Sequence, residues 1–404
     1  MKQDWANDKL CDIVLIGDGN HSSNYPKKSE MVTEGIPFIR ATNIINGKIT
    51  KDDMRYITKE KHENLKKGHL LTGDILFSNR GQIGKMAIVN KSLNNSNLNS
   101  QLAWFRCLES INNKFLYYQL LSPIQFNKIM NQQSGTALQQ VTIRQLKNIE
   151  VSYPSLTEQK RIVAKLDDCF AAIDKARANV EKNLNNAKEL FQSQLNEIFS
   201  QKGDGWVEKK LREVFDVRDG THDSPKYINE GIPFVTQKNI TDGGLKFDKV
   251  KFINQDDHDK FYKRSNVAFN DIIISMIGAN RGMACIVDDK RLFSIKNVGL
   301  IKSNEHMNQK YILYYLKSPL ANEYVSNSSK GSAQRFIGLG KLRDFPIPFV
   351  PLEKQKEISF QIDQLKSQTQ TLESNYQQEL DALDELKKSI LQKAFSGELT
   401  IDNG

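Results

Sequence analysis

The most constraining feature of this sequence is a long unit that is written twice. EGIPFIRATNI at residues 34–44 returns 196 residues later as EGIPFVTQKNI at residues 230–240. GDILFSNRGQIGKMAIV, which starts at Gly73, returns as NDIIISMIGANRGMACIV from Asn270 with one residue inserted. Further blocks follow in the same order at nearly the same offset. A repeat of this length determines the architecture of the whole chain, so two tandem structural units are predicted.

Each unit ends in a segment with the pattern of a long helix. Between Leu156 and Lys202 there is no Gly or Pro, and apolar residues recur at steps of three and four, as in a heptad repeat. The same pattern covers residues 353–395. A helix of about 43 residues would be about 64 Å long, too long for the interior of one compact domain. The residues predicted to form the seam between two such helices are Ile162, Leu166, Ile173, Val180 and Phe191 in the first, and Ile358, Ile362, Leu365, Leu372 and Leu383 in the second.

Two helices of equal length with matching seams most simply pair with each other. Because one globular segment follows the first helix and precedes the second, antiparallel pairing within the chain is favoured. Pairing with the helices of a second copy, or two separate surface helices, remain alternatives. The predicted fold is α+β, with two similar mixed α/β domains, an antiparallel two-helix coiled coil and internal pseudo-twofold symmetry. The expected boundaries are 1–153 and 203–350 for the two domains, and 154–202 and 351–404 for the two helices.

The globular segments combine short strands with short helices. β-Branched and aromatic runs separated by glycine predict strands at residues 76–77 and 87–89, and again at 272–274 and 284–287. The block KFLYYQLLSP, residues 114–123, predicts a helix that stops before its proline. Mixed α+β domains of about 150 residues are therefore expected.

Composition favours an intracellular partner of negative charge. The net charge is +9, which suits nucleic acid, although many basic proteins bind none. Cys11, Cys107, Cys169 and Cys285 lie far apart without a CxxC pair, so they are interpreted as small buried residues rather than disulfide or zinc ligands. Neither a signal peptide nor an apolar run of about 20 residues is found, so a cytoplasmic protein is expected.

Motifs for catalysis are scarce. The sequence has no GxxxxGK[ST] loop, no GxGxxG after a strand and no Asn-Pro-Pro-aromatic tetrad. His21 and His222 recur in DGNH and DGTH, each three residues after an aspartate, but no second His or Cys stands at ligand spacing. A turn with a polar side chain is favoured over a metal site, and contact with a phosphate or a base remains open. No metal ligand and no catalytic residue is predicted.

Basic and amide side chains beside glycine suggest binding rather than catalysis. Arg, Lys, Asn and Gln are the side chains that pair with base edges in the major groove, although each one singly suits an ordinary surface loop. The clusters occupy matching places in both units but differ in identity: RATN stands against TQKN, and LQQ against QRF. This is the pattern expected of two readers of different sequences on one scaffold. The candidate DNA-binding residues are Arg40, Thr42, Asn43, Asn79, Arg80, Gln82, Lys85, Gln139, Gln140, Thr236, Gln237, Lys238, Asn239, Asn280, Arg281, Gln334 and Arg335.

These features resemble the DNA-specificity subunit of type I restriction-modification systems. The resemblance lies in IPFIRATNI and IPFVTQKNI, in the GDI strand entry, and in the segments that lead into the helices, IEVSYPSLTEQKRIVAKLD at 149–167 and FPIPFVPLEKQKEISFQID at 345–363. AFSGEL at 394–399 is similar to the C-terminal signature of that family. The resemblance covers essentially the whole chain.

The resemblance implies a subunit that catalyses nothing and binds no cofactor itself. Two modification subunits, which bind S-adenosylmethionine and methylate adenine, would hold the helices, and motor-nuclease subunits that use ATP and Mg would join them. The target would be double-stranded DNA with two half-sites, one for each domain, and a spacing set by the helices. A coiled-coil adaptor with two protein-binding domains and no role with DNA is the main alternative, and an enzyme with unrecognised motifs is another.

Overall fold

A computed structural model of the chain describes residues 5–21, 25–133, 139–201, 205–278, 280–328 and 336–396. The chain forms two compact units. Unit 1 comprises residues 1–179 and 379–404, and unit 2 comprises residues 180–378. Each unit therefore holds one globular segment together with parts of both long helices. The boundary between the units falls within the helices rather than at the edges of the globular segments.

In unit 1 the chain alternates short strands and helices. The strands are β1 Ala6–Lys9, β2 Val14–Asp18, β3 Met31–Val32, β4 Ile36–Ile39, β5 Ile44–Ile45, β6 Lys48–Ile49, β7 Arg55–Ile57, β8 Ile75–Ser78, β9 Met86–Ile88, β10 Asn97–Leu98, β11 Leu102–Cys107 and β12 Glu150–Tyr153. The helices are α1 Leu10–Ile13, α2 Lys59–Asn64, α3 Asn113–Leu121, α4 Pro123–Met130 and α5 Ile143–Lys147, with 3₁₀ turns at Lys28–Glu30, Ala41–Asn43 and Lys91–Leu93. The first long helix, α6, spans Leu156–Ser200.

Two sheets carry most of these strands. In the order β2-β11-β8-β9 all neighbours are antiparallel, and Ile75 of β8 pairs with both Phe105 and Ile88. The second sheet, β10-β4-β7-β3, contains the parallel pair of β10 with β4. β1 pairs with β12, which joins the two ends of the globular segment. The predicted strands at 76–77 and 87–89 and the helix before Pro123 are confirmed.

Unit 2 repeats this order. Its strands are β13 Val207–Lys210, β14 Val217–Asp219, β15 Ile232–Val235, β16 Ile240–Thr241, β17 Gly244–Leu245, β18 Lys251–Ile253, β19 Ile272–Ser275, β20 Ala284–Ile286, β21 Ser294–Ile295, β22 Val298–Ile301 and β23 Pro346–Phe349. Its helices are α7 Leu211–Val214, α8 Gln255–Ser265, α9 Gln309–Leu316, α10 Pro319–Ser328 and α11 Leu339–Arg343, followed by the second long helix, α12 Leu352–Ser396. A 3₁₀ turn covers Gln237–Asn239. The sheet β14-β22-β19-β20 corresponds to β2-β11-β8-β9, and β13 with β23 to β1 with β12.

The long helices pair in antiparallel fashion within each unit, as predicted. In unit 1, Asp174 forms an ion pair with Lys387 (3.6 Å), and Arg177 forms one with Asp384. Residue numbers rise along α6 as they fall along α12, which defines the antiparallel direction. In unit 2, Leu195 and Phe199 of α6 share a core cluster with Ile358 and Ile362 of α12. Helix α12 begins and ends within one residue of the predicted 353–395 pattern, and α6 lies two residues inside the expected 154–202 at each end. The expected continuation of the second helical segment to residue 404 lies outside the described residues, which end at 396.

The C-terminal end of each long helix packs into a globular segment. Phe395 of α12 lies edge-on to Phe115 in unit 1, with ring centroids 5.3 Å apart. At the matching place in unit 2, Phe199 of α6 contacts Tyr311 and Tyr315 at 5.5 and 5.3 Å. Burying a phenylalanine of this kind stabilises the folded state by about 1.5–3 kcal/mol. The long helices are thus parts of the two hydrophobic cores and not free-standing linkers.

A buried glutamine ties each long helix to the segment before it. Gln159 of α6 is fully buried; its Oε1 accepts from the Asn112 backbone N–H (2.7 Å), and its Nε2 donates to the carbonyls of Ser110 and Pro154 (3.0 and 2.9 Å). In unit 2, Gln355 is also fully buried, and it accepts from the backbone N–H of Asn308 (2.9 Å).

A carboxylate about two helical turns further on forms a second tie. In unit 1, Asp167 accepts from Lys114 and from the hydroxyl of Tyr118, both at 2.6 Å. In unit 2, Asp363 accepts from Lys310 at 2.8 Å and from the hydroxyl of Tyr314. Burial works to raise the pKa of the Asp363 carboxyl, but its hydrogen bonds outweigh burial and the pKa is lowered. The ionised form is therefore favoured, which strengthens this tie.

Several details depart from the sequence prediction. Leu372 was placed in the helix seam but is 39% exposed, because two helices shield a side chain from one direction only. Cys11 and Cys169 were expected to be buried and are exposed, and Phe170 instead of Cys169 turns inward. Ser155 and Glu158 have the residue types and spacing of a helix capping box, but only the Ser155 hydroxyl takes part, accepting from the Glu158 N–H at 3.5 Å, while the Glu158 carboxylate pairs with Arg161.

The seam is otherwise mostly shielded. Ile162, Leu166, Ile173, Ile358 and Ile362 are buried, whereas Val180, Phe191, Leu365 and Leu383 are half-buried. Thr369, a polar residue at a heptad position of α12, is also buried. Its hydroxyl donates to backbone carbonyls of its own helix (2.9 and 3.0 Å), so the buried hydroxyl has hydrogen-bond partners.

Within the described part of the chain, no helix has the length and apolar character needed to cross a membrane.

Candidate nucleic-acid interface

In unit 1, the loop between β8 and β9 brings the main group of predicted contact residues together. Arg80 and Gln140 form an isolated antiparallel bridge, and the Arg80 Nε donates to the Gln140 Oε1 at 2.8 Å. The Val141 backbone N–H donates to the Asn79 carbonyl at 2.9 Å and extends the contact. Two stretches that are 60 residues apart in sequence therefore form one polar surface.

Three of the predicted asparagines face the interior of their units. Asn43, Asn79 and Asn239 are only 1%, 5% and 6% exposed. The Asn43 side-chain nitrogen donates to the Asp52 carbonyl, and that of Asn239 donates to the Lys246 carbonyl, both at 3.0 Å. The Asn79 side-chain nitrogen donates instead to the Val141 carbonyl at 3.2 Å, so all three amides are used within the protein and are poor candidates for direct contact with DNA.

Arg40 and Lys85 are also turned partly toward the protein. The Arg40 guanidinium donates to the Asp53 carboxylate at 2.7 Å, and its side chain is only 14% exposed. The Lys85 ammonium lies 3.4 Å from the Ala41 carbonyl, which places it against the 3₁₀ turn that follows β4. These two cations fix the geometry of the loops beside the Arg80 site.

The corresponding place in unit 2 is a concavity of about 840 Å³. Ile277 and Phe336 form its isolated bridge, and the Ile337 backbone N–H donates to the Met276 carbonyl at 2.8 Å, as Val141 does to Asn79 in unit 1. Gln237 and Arg281, both predicted contact residues, line the same concavity. Its lining therefore combines apolar side chains with groups that bind bases or phosphates.

The remaining predicted contacts divide by exposure. Thr42, Gln82, Gln139, Lys238 and Asn280 are exposed, whereas Arg80, Gln140, Thr236, Gln237 and Arg281 are half-buried. Gln334 and Arg335 lie outside the described residues. The sequence search considered polar side chains only, so it missed Ile277 and Phe336. The repeat did contain a signal for Phe336. LQQ at residues 138–140 aligns with QRF at residues 334–336, which places Phe336 opposite Gln140.

The repeated histidines belong to hydrogen-bonded aspartate pairs. His21 lies 2.7 Å from the Asp18 carboxylate, and His222 lies 3.2 Å from Asp219 and 2.7 Å from the Asn297 side-chain oxygen. Burial works to raise the pKa of Asp18, but hydrogen bonds from His21 and Lys67 outweigh burial and the pKa is lowered.

In unit 2, the Arg264 guanidinium donates two hydrogen bonds of 2.8 Å to the Asp219 carboxylate. Asp219, His222 and Asn297 all line the concavity. The predicted polar turn is therefore present, and it forms one wall of the candidate site. Among the residues that the structure describes, no group of three or more His, Cys, Asp or Glu side chains is arranged to hold a metal ion.

Comparison with known proteins gives the same assignment for both halves of the chain. The family described as the type I restriction modification DNA specificity domain matches residues 2–183 and again residues 203–382. The Escherichia coli type I restriction enzyme EcoBI specificity subunit is 26% identical over 330 residues, covering 75% of this chain and 69% of that protein. The MjaVIII specificity subunit of Methanocaldococcus jannaschii is 24% identical over 99% of this chain and 94% of its own length.

Solved structures agree at the level of the fold. A chain from a structure concerned with assembly and conformational transition of the type I R-M system covers 98% of this chain at 21% identity, with a TM-score of 0.74. The HsdS subunit from Thermoanaerobacter tengcongensis also covers 98% of this chain at 21% identity, with a TM-score of 0.58. With two matches to the specificity domain that together span most of its length, the chain belongs to the type I restriction-modification DNA specificity family.

Proposed function

We propose that this chain reads a bipartite duplex target, one half-site through each globular segment, for a type I restriction-modification complex. Its role as the DNA-recognition subunit follows from family membership. The observation that carries the bipartite reading is the repeated site: one loop and one bridge are built twice with different side chains, Arg80 with Gln140 and Ile277 with Phe336. A scaffold kept constant while its surface chemistry changes suits recognition of two different base sequences.

The chain itself is proposed to be non-catalytic. Adenine methylation would come from partner subunits that bind S-adenosylmethionine, and translocation and cleavage from motor-nuclease subunits that use ATP and Mg. The complex would act in the cytoplasm, where the target DNA lies. The chain would supply the polar and basic side chains that contact phosphates and bases, and the long helices to which the partner subunits bind.

A salt titration of duplex binding tests this proposal. If about six phosphates are contacted, affinity should fall by about 10³ between 50 and 200 mM salt, because binding releases condensed counterions. Lys238→Ala, at an exposed lysine beside the unit 2 concavity, should lower the slope by about one without altering the sequence preference. A flat response to salt would favour the protein adaptor and contradict the DNA assignment.

Two exposed leucines are candidate contacts for the methyltransferase subunits. Leu190 on α6 and Leu386 on α12 occupy matching positions in the repeat and are 44% and 47% exposed. Single exposed leucines are common and need no explanation. The same exposed residue at equivalent places in both halves suits two copies of one partner. We infer that each leucine anchors one methyltransferase subunit.

Leu190→Asp and Leu386→Asp should therefore each release one methyltransferase subunit, and the double variant both. Loss of a buried leucine contact should weaken each attachment by roughly tenfold or more. Native mass spectrometry of the assembled complex would count the subunits. Asn185→Asp, which introduces the same side chain at an exposed position on another face of α6, serves as control. Full occupancy in the double variant would place the dock elsewhere.

A further inference from the structure

The loop between β8 and β9 in unit 1 and the loop between β19 and β20 in unit 2 have equivalent backbone hydrogen bonds at both ends. In unit 1 the Gly84 N–H donates to the Ser78 carbonyl at 2.9 Å, and in unit 2 the Gly282 N–H donates to the Ser275 carbonyl at the same distance. The Ser78 backbone N–H donates to the Lys85 carbonyl, and the Ser275 backbone N–H donates to the Met283 carbonyl, both at 2.8 Å. The hydrogen bonds thus define which residues correspond, and the second loop is one residue longer.

This alignment shows that polar and apolar side chains have exchanged places. Counted from the first serine, Arg80 corresponds to Ile277. Counted back from the glycine, Ile83 corresponds to Arg281. The two loops therefore present a cation and an isoleucine in opposite order. A change of this kind leaves the scaffold intact and inverts the chemistry that a ligand meets.

The residue that pairs with Arg80 or Ile277 in the isolated β-bridge also changes from polar in unit 1 to apolar in unit 2. In unit 1, Gln140 accepts from Arg80, so the bridge presents hydrogen-bonding groups. In unit 2 the corresponding partner is Phe336, an aromatic side chain that is 50% exposed beside Ile277. Met276 and Leu339 line the concavity near them. An exposed apolar surface within a ligand-sized concavity that also carries a few polar groups indicates a ligand with an apolar group.

On the basis of the proposed function, we infer that Ile277 and Phe336 read the 5-methyl group of thymine in one half-site. Thymine is the base that displays a methyl group in the major groove, and apolar side chains recognise it there. Arg281 and Gln237 line the same concavity and suit hydrogen bonds to neighbouring base edges or phosphates. In unit 1, Arg80 and Gln140 have the chemistry for purine edges instead.

Replacement of thymine by deoxyuridine tests the inference, because it removes the methyl group and keeps base pairing. The target is first read from modified adenines in DNA methylated by the assembled complex. Duplexes with single deoxyuridine substitutions are then compared in a binding titration. At least one position in the half-site of unit 2 should lose affinity by about fourfold, the effect of one buried methyl group. Substitutions in the half-site of unit 1 should change affinity less than twofold.

A double variant identifies the protein side of the contact. Ile277→Arg with Phe336→Gln places the side chains of unit 1 on the bridge of unit 2. It should alter the half-site of unit 2, abolish its sensitivity to deoxyuridine and leave the other half-site unchanged. Phe269→Gln, at another exposed aromatic of unit 2, is the matched control and should change neither.

The outcomes separate the inference from the function on which it rests. Normal DNA binding with no sensitivity to deoxyuridine in the half-site of unit 2 would overturn the inference, and so would methyl dependence that persists in the folded double variant. A double variant that keeps its methylated motif but loses a protein partner would assign the concavity to that partner. Failure of the wild-type complex to bind any duplex would instead contradict the proposed function.

Discussion

Inserting four residues into each long helix is expected to shift methylation to a target with a longer spacer. The insertions belong between residues 179 and 180 in α6 and between 378 and 379 in α12, where the compact units divide. Four residues add about 6 Å of helix, which corresponds to one or two base pairs at about 3.4 Å each. Matched insertions preserve the antiparallel contacts within each unit, such as Asp174 with Lys387.

The modified motif, read by sequencing, reports the result. Both half-sites should keep their bases while the number of unspecified base pairs between them rises, and the original target should no longer be methylated. A four-residue insertion in the surface loop at residues 288–292, between β20 and β21, is the control and should leave the spacer unchanged. An unchanged spacer in the folded helix variant would show that the helices do not set the distance.

Gln159→Leu and Gln355→Leu are each expected to cause a large loss of stability. Each side chain is fully buried and satisfies backbone groups at the entry to a long helix. Leucine has nearly the same volume but leaves the Asn112 or Asn308 N–H, and the carbonyl of the buried Pro154 or Val350, without its partner. Each unsatisfied group costs about 1–3 kcal/mol, so the free energy of unfolding should fall by about 3–5 kcal/mol.

Urea denaturation followed by circular dichroism would measure this loss as a lower midpoint. Gln364→Leu makes the same substitution at an exposed position of α12 and should change the midpoint little. Because each buried glutamine joins a long helix to its own globular segment, both variants should also reduce methylation at temperatures that the wild type tolerates. A midpoint equal to that of the control would mean that the amide contacts contribute no net stability.

Much of the fold was predictable because it depends on local pattern. The heptad spacing located α6 to within two residues of its ends, and the 353–395 pattern located α12 to within one. The repeat predicted that the two globular segments share one fold, and the matching strand order of their main sheets confirms this. Leu372 and Cys169 did not follow the pattern, because spacing along a helix cannot say how far its partner shields each position.

The candidate site was less accessible to sequence reasoning. Residue type alone selected Asn43 and Asn79 as contacts, although both are buried and donate to backbone carbonyls, Asn43 to Asp52 in its own loop and Asn79 to Val141, 62 residues away. It passed over Phe336, whose meaning depends on a bridge to Ile277, 59 positions earlier in the chain. Such pairing is set by how the chain closes on itself, and no local propensity encodes it.

The sequence by itself determined the duplication, the two long helices and the family to which the chain belongs. Those properties rest on periodicity and on repeated motifs, which can be read from neighbouring residues. Only the tertiary structure decided which polar residues face solvent and that one site is lined by Arg80 and Gln140 while its counterpart is lined by Ile277 and Phe336. The physical reason is that exposure and contact arise between segments far apart in sequence, when packing brings them together.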